Sequence, residues 1–319
     1  MYKIVVTDDR FGSYIEEKEV FNKLNAELII LNSANIDKNN LQVQHADALL
    51  VNLYPISKEI IINLKNCKII SRYGVGYDNV DVESATQKGI WVSYVPDYSI
   101  EDVSDQALAL LLGNIRKIAY KDKMIRKGKW NLYSNPPIHR MKGAVLGLIG
   151  YGAIAKRFHE KTSAFGFSKV MVYDPFIKEK IITNRGAFPS ELAALLSEAD
   201  YISIHVPLND TSKKLIGEKQ LDLMKKNSIL INTSRGGVID EQALTNALVK
   251  KQIAGAGLDV FEKEPISNNS PLLKLNNVIL SDHTGWYSEE SLKELKTKAA
   301  MNVLAVLKGG SPVYPVNNI

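Results

Sequence analysis

AVLGLIGYGAIAKRF, residues 144–158, decides the fold of this chain. An apolar run meets Gly150, Gly152 and Ala155 in a G-x-G-x-x-A spacing, and a helix-compatible segment follows at once. Each small residue answers a physical demand. Gly150 permits a tight turn out of a strand, Gly152 lets backbone approach a pyrophosphate, and Ala155 lets the helix lie close to the strand, with the positive end of the helix toward the phosphates. The next apolar run, VMVYD, ends in Asp174, 22 residues beyond Gly152. A carboxylate at that point accepts hydrogen bonds from an adenosine ribose and repels a 2′-phosphate. Pro175 and Phe176 follow it instead of an arginine, so the pattern favours NAD over NADP.

Outward from this turn, short apolar runs alternate with amphipathic segments in both directions. Toward the N-terminus, residues 4–7, 27–31, 48–52, 68–71 and 90–92 read as buried strands; from the fingerprint onward, 145–149, 170–173, 201–205, 228–232, 254–258 and 278–281 do. Strand and helix in alternation imply parallel sheet, and two such series imply two doubly wound α/β sheets. The length of 319 residues fits two domains. The spacing predicts one uninterrupted helix over 101–125, then a loop over 131–142 rich in Asn and Pro, with the domain crossing near Asp97. A last amphipathic helix over 288–307 starts with Glu289 and Glu290 in its first turn and ends before Gly309 and Gly310.

Composition excludes several classes. Hydrophobic residues make up 45% and charged residues 24%, which is globular composition rather than disorder. No run approaches the ~20 apolar residues of a membrane-spanning helix, and the N-terminus MYKIVVTDDR reads as a first strand rather than a signal peptide. One cysteine, Cys67, forbids an internal disulfide and fits a reducing compartment, so the expectation is a cytoplasmic protein. Cys67 itself reads as a small core residue. The net charge of +5 is local: residues 116–129 hold seven basic side chains and one acid, and the rest of the chain sums to −1. Without interleaved aromatics or a nucleic-acid motif, that stretch reads as a solvated helix face; neither a nucleic acid nor a membrane is expected as partner.

Ligands of an open parallel sheet bind beyond the carboxyl ends of the strands. Three consecutive strand ends carry ionisable groups: Arg235 after SILINTS, Glu264 after AGAGLDV, and His283 after VILSD. A guanidinium pairs with a carboxylate through a two-point fork, an imidazole exchanges a proton near neutrality, and a carboxylate beside it fixes its tautomer and stabilises its cation. Anchor, base and orienter are what oxidation of a hydroxy acid requires. Plainer readings stand beside this one: Arg235 in a salt bridge, Glu264 as a surface acid, His283 as a core histidine. The loop after His205, with Pro207 and Thr211, reads as lining the adenosine side. His45, His139 and His159 read as surface residues without a role. No metal-ligand spacing and no G-x-S-x-G occurs.

Seven segments together, RYGVGYDNVD (72–81), EDVSDQALALLL (101–112), GLIGYGAIA (147–155), HVPL (205–208), NTSRGGVID (232–240), GLDVFEKEP (257–265) and DHTGWYSEES (282–291), resemble the D-isomer-specific 2-hydroxyacid dehydrogenase family over nearly the whole chain. The ending HTGWYSEES is most similar to the branch that includes the C-terminal-binding proteins. Ala155 stands where the family commonly has a third glycine, and SDH stands where TPH is frequent.

The resemblance implies that Arg235 binds and polarises the substrate, that His283 is the acid/base and that Glu264 is its partner. It implies that the backbone of Val75 and Gly76 holds the substrate carboxylate and that Tyr54, Arg72 and Trp286 line the substrate pocket. NAD contacts carried over by motif are Val103, Gly150, Gly152, Ala153, Ile154, Asp174, Val206, Pro207, Thr211, Thr233, Arg235 and Asp259. The implied architecture is two Rossmann-like domains: a flavodoxin-like substrate domain from 1–97 and 288–319, and an NAD-binding domain from 98–287, closing over the substrate. Homodimerisation through the 101–125 helix and the 131–142 arm is also implied. The expected activity is NAD-dependent interconversion of a small D-2-hydroxy acid and its 2-keto acid, with Tyr54, Tyr73 and Trp286 favouring an apolar or aromatic side chain. The alternative from another class is an NAD(H)-gated interaction protein of the corepressor kind, with incidental turnover.

Overall fold

A computed structural model describes residues 1–32, 40–130 and 136–319. The chain divides into two units, Met1–Ser99 with Ser288–Ile319, and Ile100–Tyr287. The first begins with β1 (Tyr2–Val6), α1 (Ile15–Phe21), β2 (Ala26–Ile30), α2 (Leu41–Gln44), β3 (Ala48–Val51), α3 (Lys58–Asn63), β4 (Ile69–Arg72), α4 (Val82–Gln87) and β5 (Trp91–Ser93). Its strands are all parallel, in the order β2-β1-β3-β4-β5, the flavodoxin-like doubly wound order. β3 and β4 are buried along their whole length, because helices cover both faces of a parallel sheet. Leu49, Val51, Ile70 and Val92 pack with Ile60, Ile61 and Ala85 on one face.

The strand order reverses between β1 and β3. There the buried carboxylate of Asp8 accepts the backbone N–H groups of Asn52 at 3.0 Å, Leu53 at 2.7 Å and Tyr54 at 3.3 Å, and the Thr7 hydroxyl at 2.7 Å. Buried amides need such partners, and here a side chain of the same sheet supplies them.

The second unit runs α5 (Ile100–Arg116), α6 (Ile118–Arg126), β6 (Val145–Ile149), α7 (Ala153–Thr162), β7 (Lys169–Tyr173), α8 (Glu179–Thr183), β8 (Phe188–Pro189), α9 (Leu192–Glu198), β9 (Tyr201–Ile204), α10 (Glu218–Leu223), β10 (Ile229–Asn232), α11 (Glu241–Val249), β11 (Gly255–Leu258) and β12 (Val278–Leu280). The parallel sheet has the order β12-β11-β10-β9-β6-β7-β8. Counted from β6 this is the Rossmann order, with its reversal between β6 and β9. Leu195, Leu221, Leu244 and Leu248 cover one face; Leu110, Leu111, Phe158 and Ile182 cover the other.

The helix expected as one piece over 101–125 is two helices. Lys117 stands between α5 and α6 in the left-handed region, φ 56°, so the hydrogen-bond ladder cannot run through. α5 is half buried by α7 and by β10–β12, whereas α6 buries no residue. Residues 131–135 of the expected loop and arm lie outside the described residues.

The chain then returns to the first unit as α12 (Glu289–Leu307), packed against α1 and β4. Ser288 caps it reciprocally: its hydroxyl accepts the Ser291 N–H at 3.0 Å, and Ser291 Oγ accepts the Ser288 N–H at 2.8 Å. Among the described residues no helix is long and apolar enough to cross a membrane.

Candidate active site

At the end of β6 the chain turns at Gly150, φ 87°. A Cβ there would stand 2.7 Å from the His205 carbonyl oxygen and 2.8 Å from Val206 Cγ1, so only glycine fits where β6 and β9 diverge. Gly152 is the opposite case, with nothing within 4 Å of the place a Cβ would take. It is the N-cap of α7, and Ala153 and Ile154 form the first turn behind it; the first N–H groups of a helix have no intrahelical acceptor. Ala155 is fully buried. Open space at a dinucleotide fingerprint, before a helix N-terminus, fits a pyrophosphate.

Asp174 directly follows β7 and is half buried. Its carboxylate accepts the Tyr151 N–H at 2.8 Å and the Phe176 N–H at 3.0 Å, so it also staples the glycine turn to β7. Val103 is buried on α5. Beyond β9, Pro207 accepts from Ser212 Oγ at 2.5 Å, and the Thr211 hydroxyl and N–H both donate to Asn209 Oδ1. Thr233 is buried, with Oγ1 lacking a hydrogen-bond partner among the described residues.

Two histidines near this turn have enclosed ring atoms. The His205 ring turns inward against Phe158, with centroids 5.4 Å apart, and burial pushes its pKa down to about 3; the ring is a neutral core group and the loop's outward side chains begin after it. His159, expected on the surface, is half buried. Its Nδ1 lies 2.7 Å from the buried Tyr151 hydroxyl, and burial together with the Arg185 charge lowers its pKa.

Arg235 follows β10 in extended backbone. Its loop is built on Asn232, a fully buried residue whose Nδ2 donates to the Arg235 carbonyl at 3.0 Å and whose Oδ1 accepts from Ser234 N and Oγ at 3.0 and 2.8 Å. The sequence reading assigns Asn232 no role; an asparagine side chain that closes such a turn on its own backbone shows itself only in the fold. A Cβ on Gly236 would fall 1.9 Å from the Phe261 carbonyl carbon. The lack of one therefore lets the Arg235 loop press on the 261–264 loop, and the Arg235 charge reaches Glu264.

Glu264 Oε1 accepts the Phe261 N–H at 3.0 Å, and Oε2 lies 2.6 Å from His283 Nδ1. Burial raises the Glu264 carboxyl, but the hydrogen bond and charge of His283, the Phe261 N–H and Arg235 outweigh burial and hold it below its ordinary value. With Nδ1 committed to the carboxylate, Nε2 is the ring nitrogen left to exchange a proton.

The loop carrying His283 is itself fastened. His283 adopts φ 56°, a conformation that costs a non-glycine residue of order 1–2 kcal/mol and persists only where surroundings impose it. Asp259, buried at the end of β11, accepts Ser281 Oγ at 2.7 Å, the Thr284 N–H at 3.3 Å and the Gly285 N–H at 3.0 Å. The Trp286 indole N–H donates to the His283 carbonyl at 3.0 Å. Ser281, first of the SDH triplet, also accepts from Gln106 Nε2 at 2.8 Å, so a hydroxyl bridge stands where the family often has a threonine.

The residues expected at the substrate lie, for the first unit, at the last residue of β4 and in the loops after β3 and β4, at one end of one sheet. Tyr54 and Gly76 are half exposed, Val75 is exposed and Arg72 is buried. Tyr73 does not line a pocket: it is 1% exposed and its hydroxyl donates to Glu17 at 2.8 Å. Among the described residues no three His, Cys, Asp or Glu side chains cluster as a metal site.

Residues 108–285 match the family model described as D-isomer specific 2-hydroxyacid dehydrogenase, NAD binding domain. A glyoxylate reductase of Korarchaeum cryptofilum is 39% identical over 280 residues, covering 86% of this chain and 84% of that one. A D-lactate dehydrogenase from Aquifex aeolicus, solved with NAD and lactic acid, superposes with TM-score 0.86 at 27% identity over 96% of both chains. An NADPH-dependent glyoxylate/hydroxypyruvate reductase from Sinorhizobium meliloti, solved with NADP and malonate, gives TM-score 0.87 at 27% identity over 99% of this chain and 96% of that one. The glycine turn, the strand-end carboxylate and these likenesses agree, and the chain belongs to the D-isomer-specific 2-hydroxyacid dehydrogenase family, whose members are oxidoreductases using a nicotinamide cofactor.

Proposed function

We propose that the chain interconverts a D-2-hydroxy acid and its 2-keto acid, with His283 as acid/base, Glu264 as its partner and Arg235 as the substrate anchor. The 2.6 Å contact between His283 and Glu264 carries this reading. A bound nicotinamide supplies the partner for the hydrogen exchanged at substrate C2. In oxidation, His283 Nε2 takes the hydroxyl proton, and the Glu264 carboxylate stabilises the ring cation that results. In reduction the same nitrogen returns the proton to the carbonyl oxygen. Arg235 pairs with the substrate carboxylate and polarises the carbonyl; Val75 and Gly76 offer backbone N–H groups to that carboxylate, while Tyr54, Arg72 and Trp286 shape the pocket.

Gly150, Gly152, Ala153 and Ile154 would hold the pyrophosphate, Asp174 the adenosine ribose, and Val103, Val206, Pro207, Thr211, Thr233, Arg235 and Asp259 the remainder. A carboxylate at position 174 supports NAD(H) over NADP(H). With Tyr73 turned inward, the case for a bulky substrate side chain loses one of its three residues, and small keto acids such as glyoxylate head the series to test. The deciding experiment follows oxidation of NADH and of NADPH with 2-keto acids from glyoxylate and hydroxypyruvate to branched and aromatic ones. Turnover with NADH preferred is the expected result. NADH binding and a changed assembly state without turnover of any acid would replace this reading by the interaction-protein one.

Two further parts of the proposal concern state and place. A homodimer through the 101–125 segment and the 131–142 arm is supported where α6 buries no residue and where Ile118, Ile125 and, just beyond α6, Trp130 are exposed, the last at 89%; light scattering at two masses of one chain tests it. The single cysteine supports a reducing compartment, the cytoplasm.

A further inference from the structure

Within the first unit, three side chains that could ionise or hydrogen-bond to water are almost wholly enclosed: Glu17 is 0% exposed, Lys296 3% and Tyr73 1%. Glu17 lies on α1 and Lys296 on α12. The Tyr73 hydroxyl donates to Glu17 Oε1 at 2.8 Å, and Lys296 Nζ stands 3.6 Å from Glu17 Oε2 while also pairing with Glu16. The Lys296 ammonium lies 5.6 Å above the Tyr14 ring, and the Tyr14 hydroxyl donates to Asp9 at 3.0 Å. The Phe11 ring meets Tyr73 edge-on at 5.1 Å.

Enclosing a carboxylate and an ammonium is a poor way to stabilise a fold, since apolar residues of similar volume often serve as well or better. What an enclosed ion pair can do, when its carboxylate also accepts a phenol hydroxyl, is fix one geometry. The group it fixes is Tyr73, and Tyr73 belongs to the turn leaving β4. Its N–H donates to the Val51 carbonyl at 2.8 Å, the Gly74 N–H to the Arg72 carbonyl at 3.1 Å, and the Val95 N–H to the Gly74 carbonyl at 2.9 Å. The Arg72 guanidinium donates to the Tyr73 carbonyl. Backbone bonds therefore hold one side of the turn and the phenol anchors the other. Val75, exposed, follows directly.

We propose that Glu17, braced by Lys296, is a positioning residue for the substrate carboxylate, acting through the Tyr73 phenol to set the turn that presents the Val75 and Gly76 N–H groups. The inference rests on the reading that these two amides bind the carboxylate. A carboxylate contact made equally in ground and transition states changes KM and leaves kcat alone. Tyr73→Phe removes only the hydroxyl, and Glu17→Gln only the charge.

The test measures KM for the keto acid, KM for NADH, kcat and Tm in Tyr73→Phe, Glu17→Gln, their double variant, and Gly76→Pro, which deletes one of the two amide donors. Tyr73→Phe is expected to raise keto-acid KM about tenfold, the size of a charge-assisted hydrogen bond. NADH KM and kcat should stay unchanged, and the double variant should add little. If Tyr73→Phe lowers Tm but leaves keto-acid KM unchanged while Gly76→Pro raises it, the amide cradle stands and the positioning role is overturned. If Gly76→Pro also leaves keto-acid KM unchanged, the cradle fails and the proposal falls with it.

Discussion

His283, the proposed acid/base, sits on strained backbone. Its φ of 56° is imposed by Asp259, which takes up the N–H groups of Thr284 and Gly285, and by the Trp286 indole on its carbonyl. Removing the ring in His283→Ala should cut kcat by about 10²- to 10⁴-fold, the range for a lost general acid or base, with NADH binding retained; stopped-flow reduction and fluorescence titration separate the two. Glu264 gives a prediction with a sign. Its carboxyl is held below the ordinary value, first against burial and then by His283, Phe261 and Arg235. A depressed carboxyl contributes stability above its unfolded pKa, and that contribution disappears as pH falls through the folded value. The Tm difference between the wild-type chain and Glu264→Gln should therefore be largest near neutrality and shrink below about pH 4, where unfolded carboxylates protonate; a difference independent of pH would show that the carboxylate's charge is not what stabilises the loop. The pairing of His283 with Glu264 was legible because both follow neighbouring strands of one parallel sheet. Asp259, Asn232 and Tyr73 were not, because nothing in a sequence says whether a polar side chain faces a ligand or closes a loop.

At the scale of elements, β-strands were the most legible feature, since a strand covered on both faces reads as an unbroken apolar run: 145–149 was expected and Val145–Ile149 is found. β8, two residues at a sheet edge, is too short to have a pattern. The break between α5 and α6 left no mark either, because neither Gly nor Pro stands there; a lysine holds the left-handed position. Lys117→Gly should relieve that strain and raise stability by about 0.5–1 kcal/mol, read as a shift in denaturant midpoint at constant m-value. The buried charges of α1 and α12 were equally hidden, since IEEKEVF has the composition of a solvated helix and only packing against α12 encloses Glu17.

For the whole molecule, the first unit is closed by residues from both ends of the chain, so its stability depends on α12 arriving last. Ending the chain after Tyr287 would remove Lys296 and leave Glu16 and Glu17 unbalanced beside an exposed face of β4. The expected outcome is loss of one calorimetric transition and of keto-acid turnover, with NADH-dependent fluorescence change surviving in the second unit. The two-sheet architecture was legible from alternation alone, as length and periodicity set it. What alternation could not show is that the two reversals of strand order are furnished differently. At one, Gly152 faces open space at the N-terminus of α7; at the other, Asp8 is already seated against three amides. Asp8 is in effect a built-in counter-charge, a carboxylate of the same sheet that ties down the loop leaving β3. The two reversals thus divide the work: one sheet spends its strand end on holding its own loop, while the other keeps an open glycine turn.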